Sequence, residues 1–253
     1  MLGTVLVDDL FRFMLAFMRI GSAFMVMPGI GAAMVTPRIR LLLALTTTFV
    51  VLPAIAGSLP AMPGSAIELS VLVGGEIIIG LFIGYVTRLM LTALEVAGTV
   101  VAFTTSLSNA AVFNPAASEQ SPVIASFLVL MGMLLVFVTD LHHLMLMAVV
   151  ESYEVFVPAA ALPVGDMAEA VTQLVARSFV LGVELAAPFI VVAMIFQICI
   201  GLIARLMPQL MIFFIAMPVQ IMLGFVVLSV VLSALLLVWL GTLQDGLVTY
   251  LAM

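Results

Sequence analysis

QLMIFFIAMPVQIMLGFVVLSVVLSALLLVWL, residues 209–240, runs for 32 residues without a charged side chain. As one straight helix it would be about 48 Å long. The hydrocarbon core of a bilayer is about 30 Å thick, and about 20 apolar residues are enough to cross it. To fit, the run would need a tilt of roughly 50°, beyond the range that membrane helices adopt. The stretch therefore marks a membrane-type helix with excess length. Either it breaks, with Pro218 as the natural place, or it projects beyond the bilayer into surrounding protein.

The rest of the chain is of the same kind. Hydrophobic residues make up 66% of the 253 residues and charged ones 8%, with a mean hydropathy of +1.43. An ordinary soluble domain is near half apolar and a quarter charged, so the fold class is all-α, a polytopic membrane-type helical protein. Seven arginines and no lysine stand against thirteen acids, for a net charge of −6. With no basic stripe to neutralise phosphates, nucleic acid is excluded as a partner. Cys199 is the one cysteine and lies in an apolar run, so there is no disulfide framework. Asp8 and Asp9 precede the first apolar run with no basic residue ahead of them. That is the wrong charge for a cleaved leader, and the first helix is expected to stay.

Punctuation divides the chain into helices. The first is expected over 10–34, and Thr36 and Pro37 open a second that runs through Val51. Ser65 with Glu68 forms a capping box for a long third helix reaching Phe103. Ser121 before Pro122 starts another, towards Val138, and a further helix covers 141–157. Asp166 with Glu169 resembles a second capping box, ahead of apolar runs at about 170–204 and 209–240. No strand-period pattern competes.

Glu76, Arg88, Glu95, Arg177 and Glu184 lie within apolar runs. Facing lipid at a helix centre, each would cost roughly 2.5–3.5 kcal/mol. Arg88 and Glu95 share a helix face, as do Arg177 and Glu184, but about 10 Å of rise is too far for a direct bridge. These charges are expected to meet groups elsewhere in the fold or at an interface. In GEIIIGLFIGYVTR (75–88), Gly80 and Gly84 form a GxxxG pair with Glu76 on the same face. Such a face admits a second backbone at close range. Its partner is either another helix of the same chain or a neighbouring subunit, with Glu76 bonded across the contact.

Catalytic equipment is missing. There is no metalloprotease or aspartyl intramembrane protease pattern, no phosphate-binding loop and no paired cysteines. GIGAAM (29–34) has two glycines of a dinucleotide fingerprint and lacks the third. In DLHH (140–143), Asp140 and His143 lie one turn apart. They read as a helix end, with a proton-linked role or a metal as the alternatives; lone Asp-His-His without distant ligands is poor metal evidence. No catalytic residue, metal or cofactor is expected. Residues 106–122, SLSNAAVFNPAASEQSP, stand apart as a polar, small-residue loop with one aromatic, Phe113.

In order, these landmarks resemble the FliR family, the R subunit of the flagellar type III protein-export gate, with its injectisome relative. RIGSAFMVMPGIG (19–31) with Pro37 and Arg40 is similar to the family's opening. GGEIIIGLFIG (74–84) matches its glutamate and glycine helix, FNPAASEQSP its mid-chain loop, and RLMPQLMIFFIAMPVQIMLG (205–224) its most specific signature. Met211 and Gln220 depart from it, where members often carry Asn and Lys.

The resemblance implies a subunit of a hetero-oligomeric gate in the bacterial inner membrane, within the flagellar basal body. It implies a part built like a P subunit over 1–184, containing the pore loop at 106–122, and a Q-like helical hairpin over 185–253. The partners implied are the P and Q subunits, the switch and proton-driven export components, and unfolded protein cargo. Within the loop, Ser106, Ser108, Asn109, Val112, Phe113, Asn114 and Pro115 are expected to help close the pore. Glu76, Gly80, Gly84, Arg88, Arg205, Pro208, Gln209 and Pro218 are expected in subunit packing. The alternatives are an injectisome gate subunit, a secondary transporter using Glu76, Arg88 and Glu184, and an intramembrane enzyme using Asp140 and His143. A transporter is disfavoured because no inverted repeat is evident.

Overall fold

The computed structural model describes residues 2–109, 123–207 and 212–251. Their regular structure is all helical: α1 Leu2–Val26, α2 Pro37–Ile55, α3 Ala66–Thr104, α4 Val123–Val138, α5 Leu141–Val155, α6 Val164–Leu206 and α7 Ile212–Leu251. No strand occurs among the described residues.

The first helix starts at Leu2, ahead of the expected residue 10, and other boundaries also differ from the sequence reading. The first helix ends at Val26 rather than Met34, because Pro28 and Gly29, the latter at φ +80°, turn the chain out. Arg40 holds that turn, donating from Nε to the Ile30 carbonyl at 3.1 Å and from Nη2 to the Ala32 carbonyl at 3.1 Å. The sixth helix starts at Val164, two residues before Asp166. Pro163 opens it, with the Met167 N–H donating to the Pro163 carbonyl at 3.0 Å, and Asp166 sits inside the first turn, where a carboxylate still favours the helix N-terminus. Of the two outcomes left open at Pro218, a break or excess length, the structure has the second: α7 continues without a break. Pro218 lies in the second turn and is exposed, so its missing N–H disturbs the end of the helix rather than its middle. At the start of α3 the Ser65 half of the expected capping box is present, with Ser65 Oγ accepting from the Ile67 N–H at 3.3 Å.

With no break, the excess length is real. The third, sixth and seventh helices have 39, 43 and 40 residues. At 1.5 Å per residue they are about 58–65 Å long, about twice a hydrocarbon core. Four helices are long and apolar enough to cross a membrane, or five if α4 and α5 count as one broken span. Yet only 22% of the apolar window of α3 and 11% of those of α6 and α7 are buried within the chain.

The chain forms two compact units, one of residues 1–90, 136–174 and 244–253, the other of 91–135 and 175–243. They interleave along the sequence, and the expected boundary at 184/185 falls inside α6. In the first unit Leu15 and Ala16 of α1, Ile55 of α2, Leu72 of α3 and Tyr153 of α5 make a buried cluster. In the second, Leu94, Leu128, Leu235 and Trp239 are buried. Here glycines set helix spacing: a Cβ on Gly98 would meet the Ala125 backbone, and one on Gly132 would meet Leu94 and Trp239. Such contacts let apolar helices associate through close packing.

Candidate functional site

One charged group lies at the centre of the first unit. Arg19 of α1 is fully buried and Glu76 of α3 is 1% exposed. A guanidinium has five N–H donors, and all five are used here. Nε donates to Glu76 Oε2 at 2.6 Å and Nη2 to Oε1 at 2.9 Å, a two-pronged ion pair. Nη2 also donates to the Phe156 carbonyl at 2.9 Å, and Nη1 to the Ser152 carbonyl at 3.0 Å and to Ser152 Oγ at 3.2 Å. The Tyr153 ring lies under the guanidinium, 3.9 Å from its centroid. Those two carbonyls belong to the C-terminal end of α5, which favours a cation; the Ser152 carbonyl also accepts from the Phe156 N–H at 2.8 Å. Burying two charges is costly unless geometry and further hydrogen bonds offset it; this cluster supplies both.

The glycines make that geometry possible. A Cβ on Gly80 would meet the Arg19 carbonyl and Ser22 Oγ, and one on Gly84 would lie 2.7 Å from the Ala23 carbonyl. So α1 occupies the glycine face of α3, and Glu76 is used within the chain. Of the two partners left open for this face, the helix of the same chain is the one it meets: both Glu76 oxygens are engaged by Arg19, and almost no surface is left. Sequence reading missed Arg19, although RIGSA (19–23) carries the matching signal of an arginine followed by small residues on an apolar helix.

The second feature is the end of α3, in the second unit. Thr105 is buried, and both its N–H and its hydroxyl donate to the Val101 carbonyl, at 2.9 and 2.8 Å. Ser106 then turns the chain at φ 62°, into a short 3-10 turn over Leu107–Asn109 that contains Ser108. From α7, Gln220 Nε2 donates to the Thr104 carbonyl at 2.6 Å. Val112, Phe113, Asn114 and Pro115 lie outside the described residues, as do Pro208 and Gln209.

Residues 10–246 match the family described as bacterial export proteins, family 1. The chain belongs to that family. It is 42% identical over 225 residues to the flagellar biosynthetic protein FliR of Caulobacter vibrioides, covering 89% of this chain and 90% of that protein. FliR of Bacillus subtilis is 28% identical over 238 residues, with 91% and 90% covered. The Yop proteins translocation protein T of Yersinia pestis is 28% identical over 172 residues, with 67% and 66% covered. The resemblance to the FliR family of type III export components therefore holds. As a member, this export protein is a membrane component of an export apparatus and not an enzyme.

The other charges of this export protein have a different setting from Arg19. Arg88, Glu95 and Glu184 are exposed and form no ion pair among the described residues. Arg177, Arg205 and Pro218 are exposed too. At the α4–α5 break, Asp140 takes φ 59° and its Oδ1 lies 3.6 Å from His143 Nδ1, so the pair expected one turn apart does meet. With His142, these side chains place three ligand atoms within 4.8 Å of one another and could hold a divalent ion. Asp140 is 78% and His143 66% exposed, which makes this an open helix end.

Proposed function

We propose that this chain is the R subunit of a flagellar type III export gate, forming with P and Q subunits the channel that passes unfolded flagellar proteins across the bacterial inner membrane within the basal body. The observation that carries the reading is the mismatch between helix length and bilayer. Helices of 39–43 residues, with apolar windows 11–22% buried, have far more apolar surface than one chain covers. They are about twice as long as lipid requires. Arg88, Glu95 and Glu184 stand exposed on the same helices. Facing acyl chains those charges are costly; against other export subunits they gain partners. A lone transporter has no use for such length.

On this reading residues 1–184 act as a P-like part and 185–253 as a Q-like hairpin, and segment 106–122 helps seal the resting channel. A channel for cargo of any sequence must not bind side chains tightly, and Ser, Ala and Asn offer little to bind. Phe113 is the largest apolar group of the segment and excludes water at a constriction. Asn114 before Pro115 restricts the backbone beside it. Drive for transport comes from partners, the proton-driven component and the cytoplasmic energy source among them. The 28% identity to a Yersinia translocation protein favours an injectisome gate as the second reading; the 42% identity to a flagellar relative, over more of the chain, favours the first.

Deleting residues 110–116 tests the seal. The altered chain is expected to co-purify with its partners as the wild type does, while cells take up small ions and dyes. A deletion that abolishes assembly without any leak assigns the segment to bracing the complex instead.

A further inference from the structure

We propose that Asp140, His142 and His143, at the break between α4 and α5, form a binding site for a borderline divalent ion of the zinc type. Each supplies one ligand atom, and the three atoms lie within 4.8 Å of one another. Spacing along the chain gave no reason to expect a metal here; the fold brings the ligands together.

A helix start would account for these residues if their side chains were used there, and they are not. Asp140 stands at the N-cap position of α5, yet its side chain makes no capping bond. Its φ of 59° is left-handed, whereas a capping residue takes an extended backbone. Its carboxylate approaches His143 Nδ1 only to 3.6 Å, too far for a hydrogen bond. On His142, Nδ1 is buried and has no hydrogen-bond partner among the described residues. An imidazole nitrogen withdrawn from water without a replacement partner is costly, and a buried orphan of this kind is a place where an ion belongs. The ordinary uses of the cluster, a cap and a hydrogen-bonded ion pair, are thus both missing.

His142 is held in place. Its ring lies 4.1 Å from that of His143 and 5.0 Å from that of Phe137, centre to centre. Phe137 in turn packs on the turn after α1, where a Cβ on Gly29 would run into its ring. Zinc takes imidazole nitrogen and carboxylate oxygen at about 2.0–2.2 Å, so ligand atoms around it stand roughly 3.4 Å apart. Closing from 4.8 Å needs only a small rotation of Asp140 and His143, which are exposed and can turn. Two imidazoles with one carboxylate suit Zn2+, Ni2+ or Cu2+ better than Mg2+ or Ca2+, which prefer oxygen throughout. Three protein ligands leave a fourth position for water or for a side chain of a neighbouring subunit. The start of α5 opposes a cation with about half a charge and the end of α4 favours one by as much, which leaves the full negative charge of Asp140.

The test uses the assembly purified through a histidine-free tag on this chain, stripped with a chelator and titrated with Zn2+ against a chromophoric zinc indicator. Wild type is expected to take up one Zn2+ per copy of this chain at a site that Asp140→Asn, His142→Gln and His143→Gln each weaken by at least about tenfold. Groups that merely support a metal ligand already cost about 10–100-fold when removed. Asp140 and His143 are 78% and 66% exposed, so their variants are expected to assemble as wild type does. Should His142→Gln fail to assemble, the other two still decide. Zinc uptake that no variant changes is held elsewhere in the assembly and overturns the site. Wild-type affinity in any one assembled variant overturns the three-ligand set. Displacement of the bound Zn2+ by an equal concentration of Mg2+ overturns the assignment to a borderline ion.

Discussion

An Arg19→Met chain is expected to accumulate poorly in membranes and to be nearly absent from the purified export complex. The substitution leaves the Glu76 carboxylate 1% exposed with no cation, the Phe156 carbonyl without the Arg19 donor, and the Ser152 carbonyl with only the Phe156 N–H. Breaking a buried ion pair from one side costs about 3–5 kcal/mol, because the remaining charge stays in a low dielectric. That is a large part of the roughly 5–15 kcal/mol by which folded domains are stable. Glu76→Gln strands the guanidinium and is expected to do comparable harm. The double variant Arg19→Met with Glu76→Leu removes both charges and is expected to recover much of the loss. The check is a double-mutant cycle on membrane abundance and on thermal unfolding in detergent, with a coupling well above the few tenths of a kcal/mol seen between independent sites. Wild-type abundance of Arg19→Met would show that this cluster does not hold α1, α3 and α5 together.

Gly80→Val is expected to damage the chain almost as much, by a different route. The new side chain would be driven into Ser22 Oγ and into the Arg19 backbone carbonyl, which cannot withdraw without moving α1. Overpacking of this kind costs about 1–3 kcal/mol, and separating the helices also spoils the short Arg19–Glu76 bonds. Gly84→Ala, with a Cβ 2.7 Å from the Ala23 carbonyl, is expected to fall between wild type and Gly80→Val. Gly74→Ala on the same helix has nothing within 4 Å of its Cβ and serves as the control. It is expected to be neutral, or stabilising by at most about 1 kcal/mol. Because Gly80 and Arg19 act through one contact, their combined effect is expected to be smaller than the sum. Unfolding midpoints of the single and paired variants measure this directly.

Local signals in the sequence were read well where the chain itself decides. Ser65 caps α3, Pro37 opens α2, and the apolar run around Pro218 is overlong because it is one helix. The errors came where context outweighs a residue's habit. Asp166 looked like a cap, but Pro163 had already opened the helix. The partner of Glu76 was not legible because it lies 57 residues away, and Ser152 is 133 residues from Arg19. No periodicity carries that information; only packing does. A GxxxG face states that a backbone will come close, and it does not state whose. Likewise Gln220 was visible only as a departure from a family pattern, since its acceptor is a main-chain carbonyl without any sequence signature.

Imaging the assembly purified through a tag on this chain tests the central claim most directly, namely that its long helices are covered by other export subunits rather than by lipid. The expected map has α3, α6 and α7 standing beyond the detergent belt for much of their length. In it Arg88, Glu95 and Glu184 lie within hydrogen-bonding distance of neighbouring chains. A map of a single chain, with the belt around its helices and those three side chains facing detergent, would contradict it.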